Sequence, residues 1–520
     1  MIIDLQTTNE NSEFECDVCI IGTGAAGLTI ASEMLKSRLK IILVEAGGIE
    51  YEPETQALYN TEISGFSHPG STEGRFRVHG GSTTKWAGQA LPLMSHDFEK
   101  RDWVANSGWP ISFHDLKPYY ARACQFLLVD KMNFDTDLFS HLKIKPPEFN
   151  LAKILYHFSK WSPAPNVREH YLSDIKLSEN CTLLLHANVT RIVLDENKRF
   201  VREVNARSLK NHFATIKAKN FILCTGGIET ARLLLFNDLG NQNDLVGRYF
   251  QDHPSAMIGF LKADNPKKIQ KIFNAFTKKK LKYSTRFTAS PRWQYEQKTL
   301  NMSAGINFVD ENSAFQNLRD VYHALCNRDF STGFLRKFSK IITNPAASLS
   351  PMAHYLLHGR HYNPGAKFQI GLTSEQEPDP ESRVMLSEQK DALGIPLSNI
   401  KWKPTDLTHY SIRQFSTILQ NEFRNLGLGE LKLEPWVCEN SITWKQNITD
   451  QYHHMGTARM SNSARSGVVD SDCRVHNIEN FYIGSSAVFP TSGHSNPTLT
   501  IIALCMRISD KIKSQFCSSS

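Results

Sequence analysis

The strongest limit on the fold comes from residues 16–48, CDVCIIGTGAAGLTIASEMLKSRLKIILVEAGG. Their pattern predicts a buried strand, a glycine-rich turn, a helix and a second strand. Glycines in such a turn permit a tight bend, close approach of a pyrophosphate and close packing of helix on strand. Free N–H groups at the helix start would hold the phosphates. The predicted dinucleotide contacts are Gly22, Gly24, Ala25, Ala26 and Gly27.

An acidic residue at the end of the second strand narrows the choice of nucleotide. Glu45 follows Gly27 by 18 residues, where a carboxylate accepts hydrogen bonds from both ribose hydroxyls. A carboxylate at this place disfavours a 2′-phosphate, so NADP is not expected. This motif alone leaves FAD and NAD open.

The net charge of +7 is a local property of the chain. Residues 262–286 hold nine basic residues and one acid, so the other residues sum to about −1. This distribution argues against a nucleic-acid surface. With 41% hydrophobic and 21% charged residues, the chain is expected to fold into two or more globular domains.

Targeting and cysteine signals favour a cytoplasmic protein. Ten cysteines in 520 residues are too few for a disulfide framework, and the first residues lack a signal-peptide pattern. The chain has no apolar run long enough to cross a bilayer, so membrane contact would be peripheral. The pair Cys16 and Cys19 has no second pair at metal spacing and is interpreted as part of a buried strand. No metal site is predicted.

Six segments are spread over nearly the whole chain. They are residues 22–45, RVHGGSTTKWAGQ (77–89), SGWPISFHDLKPYYARA (107–123), CTGGIETARLLL (224–235), VGRYFQDHP (246–254) and the block from HHMGTARM (453–460) to residue 510. In this order they resemble the glucose-methanol-choline (GMC) family of FAD-dependent oxidoreductases. The loop containing Trp86 is most similar to bacterial members and to the pyranose-oxidase branch.

The resemblance implies an α/β fold, with a doubly wound FAD-binding domain and an inserted α+β substrate domain that contains an antiparallel sheet. We assign residues 1–110, 178–255 and 451–520 to the FAD-binding domain. Residues 111–177 and 256–450 form the predicted substrate-binding domain.

The resemblance also implies the catalytic pair. An alcohol releases hydride only if its hydroxyl proton leaves in step, so a base is needed beside the flavin. His453 matches the family's catalytic histidine, and Asn496 matches the second member of the pair. We expect His453 to accept the proton and Asn496 to fix the oxygen while hydride passes to flavin N5.

Further cofactor contacts follow from the same matches. Lys85 stands where some members attach FAD through a histidine, so the FAD is expected to be non-covalent. The additional predicted contacts are Gly80, Gly81, Ser82, Thr83, Val189, Gly484, Ser485, Asn496, Pro497 and Thr498.

Other polar residues have simpler interpretations. His454 is expected to be structural or to support the site, and for His494 a substrate-lining role and a bracing role stay open. Asp470 and Asp472 are interpreted as turn residues. The absence of a GxSxG elbow argues against a hydrolase.

The predicted function is FAD-dependent oxidation of the CH–OH group of a small alcohol, polyol or sugar, with electrons passed to a quinone, another carrier or oxygen. A dehydrogenase is favoured over an oxidase. Non-alcohol chemistry on the same fold stays open. An NAD enzyme fits the first motif but not the flavin loop, and a non-catalytic binding protein would be expected to lack His453 or Asn496.

Two basic stretches have amphipathic patterns. In residues 262–286, Ile269, Ile272, Phe273 and Phe276 fall at helical spacing among lysines, and residues 330–341 repeat the pattern. Either the apolar stripes pack on the inserted domain, or they meet anionic lipid or an acidic partner.

Overall fold

The computed structural model describes residues 1–135, 139–140, 143–309, 321, 339, 354, 359–360, 362–363, 365–439 and 442–517. Within these residues, no helix combines the length and apolar character needed to span a bilayer. The second basic stretch, 330–341, lies outside the described residues except for Ser339.

The strands are β1 (Ile2–Asp4), β2 (Asn11–Ile21), β3 (Ile41–Val44), β4 (Thr61–Ile63), β5 (Gln89–Ala90), β6 (Ile154–Trp161), β7 (Cys181–Leu185), β8 (Asn188–Leu194), β9 (Val201–Arg207), β10 (Phe213–Leu223), β11 (Ser255–Ala263), β12 (Phe276–Lys278), β13 (Leu281–Ala289), β14 (Met302–Val309), β15 (Lys367–Ser374), β16 (Arg383–Lys390), β17 (Pro396–Lys401), β18 (Gly429–Leu433) and β19 (Phe481–Ile483).

The helices are α1 (Ala25–Met34), α2 (Pro53–Ala57), α3 (Phe113–Phe126), α4 (Val167–Leu177), α5 (Gly226–Phe236), α6 (Pro266–Phe273), α7 (Pro291–Gln297), α8 (Asp406–Asn425), α9 (Pro435–Cys438) and α10 (Thr498–Cys517). Short 3-10 turns connect several of them, including Gly81–Thr84 in the loop after β4.

The first sheet confirms the predicted doubly wound fold. Within the described chain its order is β1-β7-β3-β2-β10-β9-β8, with β19 also paired to β10. The pairs β1–β7, β7–β3, β3–β2, β2–β10 and β10–β19 are parallel. The apolar end of β2, from Val18 to Ile21, lies between β3 and β10 and is buried on both faces. A continuous apolar run suits such a central parallel strand.

The stretch 178–205 contains β7, β8 and the start of β9. β8 and β9 form an antiparallel pair. The first part of the stretch forms β7, which pairs in parallel with β1 and β3. Its buried residues, Leu183 and Leu184, serve the core of the parallel sheet. A short apolar run does not reveal which neighbour it will pair with.

A second, antiparallel sheet covers the site. In the described residues its order is β18-β11-β15-β14-β13-β6-β5, with β12 added to β13. Within residues 382–402, β16 and β17 form an antiparallel hairpin, which makes a smaller sheet with β4. This arrangement agrees with the expected antiparallel sheet in the inserted region.

Two helices favour a modified domain boundary. α3 buries Leu116 and Tyr120 in the hydrophobic core that also contains the first sheet. Tyr120 Oη lies 3.0 Å from Thr500 Oγ1 of α10. This packing favours counting α3 with the nucleotide-binding part, although it was assigned to the substrate domain. The domain division itself stays a prediction.

The basic stretch 262–286 forms a shorter helix than its pattern indicates. α6 ends at Phe273, and Phe276 belongs to β12. All four apolar residues of the stripe are buried in the core of the second sheet. This agrees with the first alternative, in which the stripe packs on the inserted domain. The exposed groups are lysines, among them Lys267, Lys268 and Lys271. Contact with an anionic surface through these lysines stays a prediction.

Candidate active site

A cavity of about 620 Å³ lies where β2 and β3 end and where α1, α5 and α10 begin. Its volume falls in the range of small-molecule and cofactor sites. It brings together most of the predicted contacts from distant parts of the chain. These are Gly22, Gly24, Ala25, Ala26, Glu45, Gly81, Ser82, Thr83, Val189, Gly484, Ser485, Asn496, Pro497 and Thr498, with His453.

Two of the predicted glycine contacts do not line this cavity. A Cβ on Gly27 would lie 1.9 Å from the Gly22 carbonyl oxygen, so this position serves close packing of α1 on β2. Gly80 has φ +98°, and a Cβ there would lie 2.9 Å from side-chain atoms of Arg168 and Thr84. Both glycines therefore allow close packing of the elements that form the cavity walls.

Gly24 has the opposite surroundings. A Cβ on Gly24 would meet no protein atom within 4 Å, although the residue lines the cavity. Its φ of −71° is accessible to any residue. The protein itself therefore does not require glycine here, and the free space adjoins the N-terminus of α1.

Glu45 is buried at the end of β3, as predicted. One carboxylate oxygen, Oε2, accepts hydrogen bonds from the backbone N–H and the hydroxyl of Thr23, and Oε1 accepts one from Gly47 N–H at 3.0 Å. Burial raises the pKa of Glu45, and these hydrogen bonds act against that rise. Oε1 keeps a lone pair for a ligand hydroxyl.

The hydroxyls in the loop 77–89 are already engaged. Ser82 Oγ donates to the Gly74 carbonyl at 2.7 Å, and Thr83 Oγ1 donates to the Gly80 carbonyl at 2.6 Å. Their hydroxyl protons therefore stabilise the loop, while contact of Ser82 and Thr83 with the cofactor stays a prediction. Lys85 and Trp86 also line the cavity.

His453 and Asn496 meet although 43 residues separate them. Asn496 Nδ2 lies 3.2 Å from His453 Nε2, and His453 Nδ1 lies 2.9 Å from His253 Nδ1. The amide can only donate, so His453 Nε2 carries a lone pair and Nδ1–H donates to His253. Burial, followed by the charge of His253, lowers the pKa of His453 to about 3. The imidazole is therefore neutral at pH 7.

A buried carboxylate fixes the backbone around His453. Asp252 Oδ2 accepts the backbone N–H of His453 at 2.9 Å, and Oδ1 accepts those of Gln451 and His253 at 3.0 and 2.6 Å. Burial would raise the pKa of Asp252, but contact with His68 and the nearby His454 and His453 hold it below its usual range. Asp252 is thus a buried anion.

His68, Asp252 and His454 offer ligand atoms that lie within 4.8 Å of one another. His68 Nε2 is 3.2 Å from Asp252 Oδ2. Both oxygens of Asp252 already accept backbone N–H groups, which disfavours a metal ion here. Burial lowers the pKa of His454 to about 3, and the residue lines the larger cavity beside His453, so its structural or supporting role stays a prediction.

His494 lies in a second cavity of about 70 Å³ that shares Gln89, Gln451, His453 and Asn496 with the larger one. The His494 side chain is buried, and neither ring nitrogen has a hydrogen-bond partner among the described residues. This location favours the substrate-lining alternative over the bracing one.

Asp470 is a turn residue, as expected. Its Oδ1 accepts the backbone N–H groups of Asp472 and Arg474 at 2.9 and 3.0 Å. Asp472 pairs with Arg507 and Lys511. The two carboxylates therefore have structural partners.

Sequence reasoning missed His68, Asp252 and His253 as parts of the site. Asp252 and His253 stand in the segment VGRYFQDHP, which was used only as a mark of resemblance. A buried aspartate next to a histidine in that segment was the available signal.

Two family models described as GMC oxidoreductase match this chain. The N-terminal model matches residues 165–255, and the C-terminal model matches residues 378–505. The second match contains both His453 and Asn496. The chain thus matches both the N-terminal and the C-terminal model of the GMC oxidoreductases, over residues 165–255 and 378–505.

Relatives and solved structures extend over nearly the whole chain. 2-Methyl-1,2-propanediol dehydrogenase from Mycolicibacterium austroafricanum is 24% identical, covering 96% of this chain and 96% of its own. The fructose dehydrogenase large subunit from Gluconobacter japonicus is 22% identical, covering 96% and 98%. Pyridoxine 4-oxidase from Mesorbium loti has the same fold, with a TM-score of 0.58, 16% identity and coverage of 95% and 99%.

GMC oxidoreductases bind FAD, and this cavity suits FAD. Glu45 would accept hydrogen bonds from the ribose, and the starts of α1 and α5 would supply N–H groups to the pyrophosphate. The free space at Gly24 would admit the phosphates. The far end of the cavity reaches His453 and Asn496.

Two glycine variants separate cofactor contact from packing. Gly24→Ala should leave the fold intact but weaken FAD binding roughly tenfold or more, because overpacking typically costs about 1–3 kcal/mol. Gly27→Ala should lower the melting temperature, because its Cβ would overlap the Gly22 carbonyl. Thermal unfolding of the apoprotein and titration with FAD measure the two effects. Normal FAD affinity in Gly24→Ala would contradict the contact.

Proposed function

We propose that this GMC oxidoreductase oxidises the CH–OH group of a small molecule with FAD, and that His453 is the base. The observation that carries the proposal is the pairing of a neutral His453 with Asn496 at the cofactor cavity. His453 Nε2 presents a lone pair, and Asn496 Nδ2 presents a donor.

The two side chains suit complementary tasks on one hydroxyl group. His453 Nε2 accepts the hydroxyl proton, while Asn496 Nδ2 donates a hydrogen bond to the same oxygen. Loss of the proton to His453 lets the C–O bond become C=O as the carbon loses hydride. FAD, when bound, supplies the acceptor for that hydride and its two electrons.

His253 and Asp252 are positioning residues in this proposal. His253 accepts from His453 Nδ1–H and so keeps the lone pair on Nε2. Asp252 holds the backbone on both sides of the base. Its negative charge also favours the imidazolium that forms when His453 takes the proton.

We also propose that the FAD is non-covalent and that the enzyme is a dehydrogenase. Lys85 lines the cavity where some family members carry a histidine that attaches flavin. The two relatives reported above at 24% and 22% identity are named dehydrogenases. A quinone or another carrier would then take the electrons, and oxygen is the alternative acceptor.

Replacement of His453 tests the base. His453→Ala should keep FAD but slow its reduction by substrate roughly 10²–10⁴-fold, the usual contribution of a general base. Stopped-flow absorbance of the bound flavin measures the rate, and reduction by dithionite confirms that the flavin is intact. His114→Ala, at an exposed position on α3, is the control. An unchanged rate in His453→Ala would refute the assignment.

The pH profile tests the electrostatics of the base. An ordinary histidine, with a pKa near 6.5, would lose basic form as the pH falls below that value. The pKa of His453 is lowered to about 3, so its neutral form persists at lower pH. Flavin reduction by a neutral alcohol should therefore change less than about twofold between pH 8 and 5. A tenfold fall per pH unit below 6.5 would contradict this environment.

The choice of acceptor tests the dehydrogenase assignment. The reduced enzyme should pass electrons to a quinone or an artificial dye at least about tenfold faster than to oxygen. Reoxidation followed in air and under nitrogen with the dye measures both rates, and a peroxide assay detects the oxygen reaction. Faster reoxidation by oxygen would make the enzyme an oxidase. Acid precipitation of the same sample should release all the flavin.

A further inference from the structure

The second cavity, of about 70 Å³, lies beside the catalytic pair and has polar walls. Strands of the antiparallel sheet supply Gln89, Ser159, Arg286, Ser303 and Thr373 to it. The catalytic side contributes Gln451, His453, His494 and Asn496. A substrate whose hydroxyl contacts His453 therefore places its remaining atoms against these groups.

Arg286 is the cation of this cavity, and no carboxylate compensates it. Its Nε donates to Ser303 Oγ at 2.9 Å. In the described part of the chain, its two terminal nitrogens have no hydrogen-bond partner, and no Asp or Glu lies within ion-pair distance of it. Burial lowers the pKa of Arg286 to about 10, so the guanidinium stays charged at pH 7.

The neighbours of Arg286 are fixed by one another. Ser303 Oγ also contacts His157 Nε2 at 2.9 Å, and the rings of His157 and His494 stack with centroids 5.0 Å apart. Gly305 leaves room for the guanidinium, because a Cβ there would lie 3.1 Å from Arg286 Nη1. The arginine is thus held in place with its free donors beside the cavity.

The surroundings of this cavity favour negative charge. Burial lowers the pKa of His494 well below its ordinary value, and His157, His253 and Arg286 lower it further. A guanidinium removed from water without a partner is costly. Its planar fork of donors matches a carboxylate, which can accept two parallel hydrogen bonds.

We propose that the substrate is a compact hydroxy acid whose carboxylate binds Arg286 while its hydroxyl contacts His453 and Asn496. This inference rests on the proposed CH–OH oxidation and names its substrate class. The reaction converts the secondary or primary alcohol of the acid to a carbonyl, with the same proton and hydride transfers. His494 and Ser303 line the space between the two ends of the substrate.

Calorimetric titration of the holoenzyme with acetate tests the anion site without catalysis. Acetate should bind at least tenfold more tightly than acetamide, its neutral counterpart of similar shape. Arg286→Met should weaken acetate binding at least 30-fold and change acetamide binding less than threefold. Arg286→Lys, which keeps the charge but loses the fork, should fall between. Arg292→Met, at an exposed arginine paired with Glu296, is the control.

Steady-state kinetics with matched substrates gives the second measurement. Lactate, glycerate and glycolate are compared with 1,2-propanediol, glycerol and ethylene glycol. The preferred acid should exceed its neutral partner at least tenfold in kcat/KM, and Arg286→Met should abolish that preference, mainly through KM. The wild-type comparison stands even where a variant folds poorly.

Three results would overturn the proposal. They are equal binding of acetate and acetamide, unchanged acetate binding in Arg286→Met, and neutral diols used as well as the acids. Tighter Arg286-dependent binding of inorganic phosphate than of acetate would also overturn the carboxylate assignment. If acetate binds through Arg286 while neither acids nor alcohols reduce the flavin, CH–OH oxidation is wrong and the anion site stands.

Discussion

The geometry of the site depends on the buried carboxylate of Asp252. An ionised carboxylate without water is stable only when its oxygens are filled by donors. Three backbone N–H groups, from His253, Gln451 and His453, and the ring of His68 supply that compensation. These contacts tie the segment after α5 to the loop that carries His453. The Asp252 carboxylate thereby fixes the backbone that carries the His453 side chain.

A second buried ion pair connects the end of β15 to the loop between β5 and α3. Arg101 donates to both oxygens of Glu375 at 2.7 and 2.5 Å, and both side chains are almost fully buried. Glu375 follows β15 in the antiparallel sheet, whereas Arg101 lies in a loop that packs near the first core. Removing one partner of such a pair costs about 3–5 kcal/mol, because the other charge is left buried. The pair therefore holds the end of β15 against that loop.

The sequence predicted best what local geometry determines. Gly22, Gly24 and Glu45 lie in one strand-turn-helix-strand unit, and their spacing alone places them at one cavity. The meeting of His453 and Asn496 was predicted only through resemblance to a family, since no periodicity brings two positions so far apart together. Asp252 and Arg286 were missed because their importance depends on whether neighbouring groups in the fold compensate their charges. The sequence does not show that the Asp252 carboxylate is fully paired, or that no described acid lies beside the Arg286 guanidinium.

The residue pattern of β13 also explains why Arg286 was not predicted as a site residue. In β13 it stands in the run YSTRFTA, where an alternating polar residue is typical of a solvent-facing position. Arg286 instead lines the smaller cavity together with His453 and Asn496, so this polar position of β13 faces a cavity. Arg286 also belongs to the basic stretch 262–286, whose lysines are largely exposed. The basic stretch thus contains two kinds of cation, namely lysines that are largely exposed and Arg286, which lines a cavity.

The unpaired cation and the neutral base form one electrostatic arrangement. Burial and neighbouring histidines keep His453 and His494 neutral, so the Nε2 lone pair of His453 accepts from Asn496 while the imidazole is only weakly basic. A carboxylate bound at Arg286 would add negative charge beside His453 and raise its pKa. The affinity of His453 for a proton would then increase only when substrate is present. In this arrangement the anion that Arg286 selects also strengthens the base that acts on its hydroxyl.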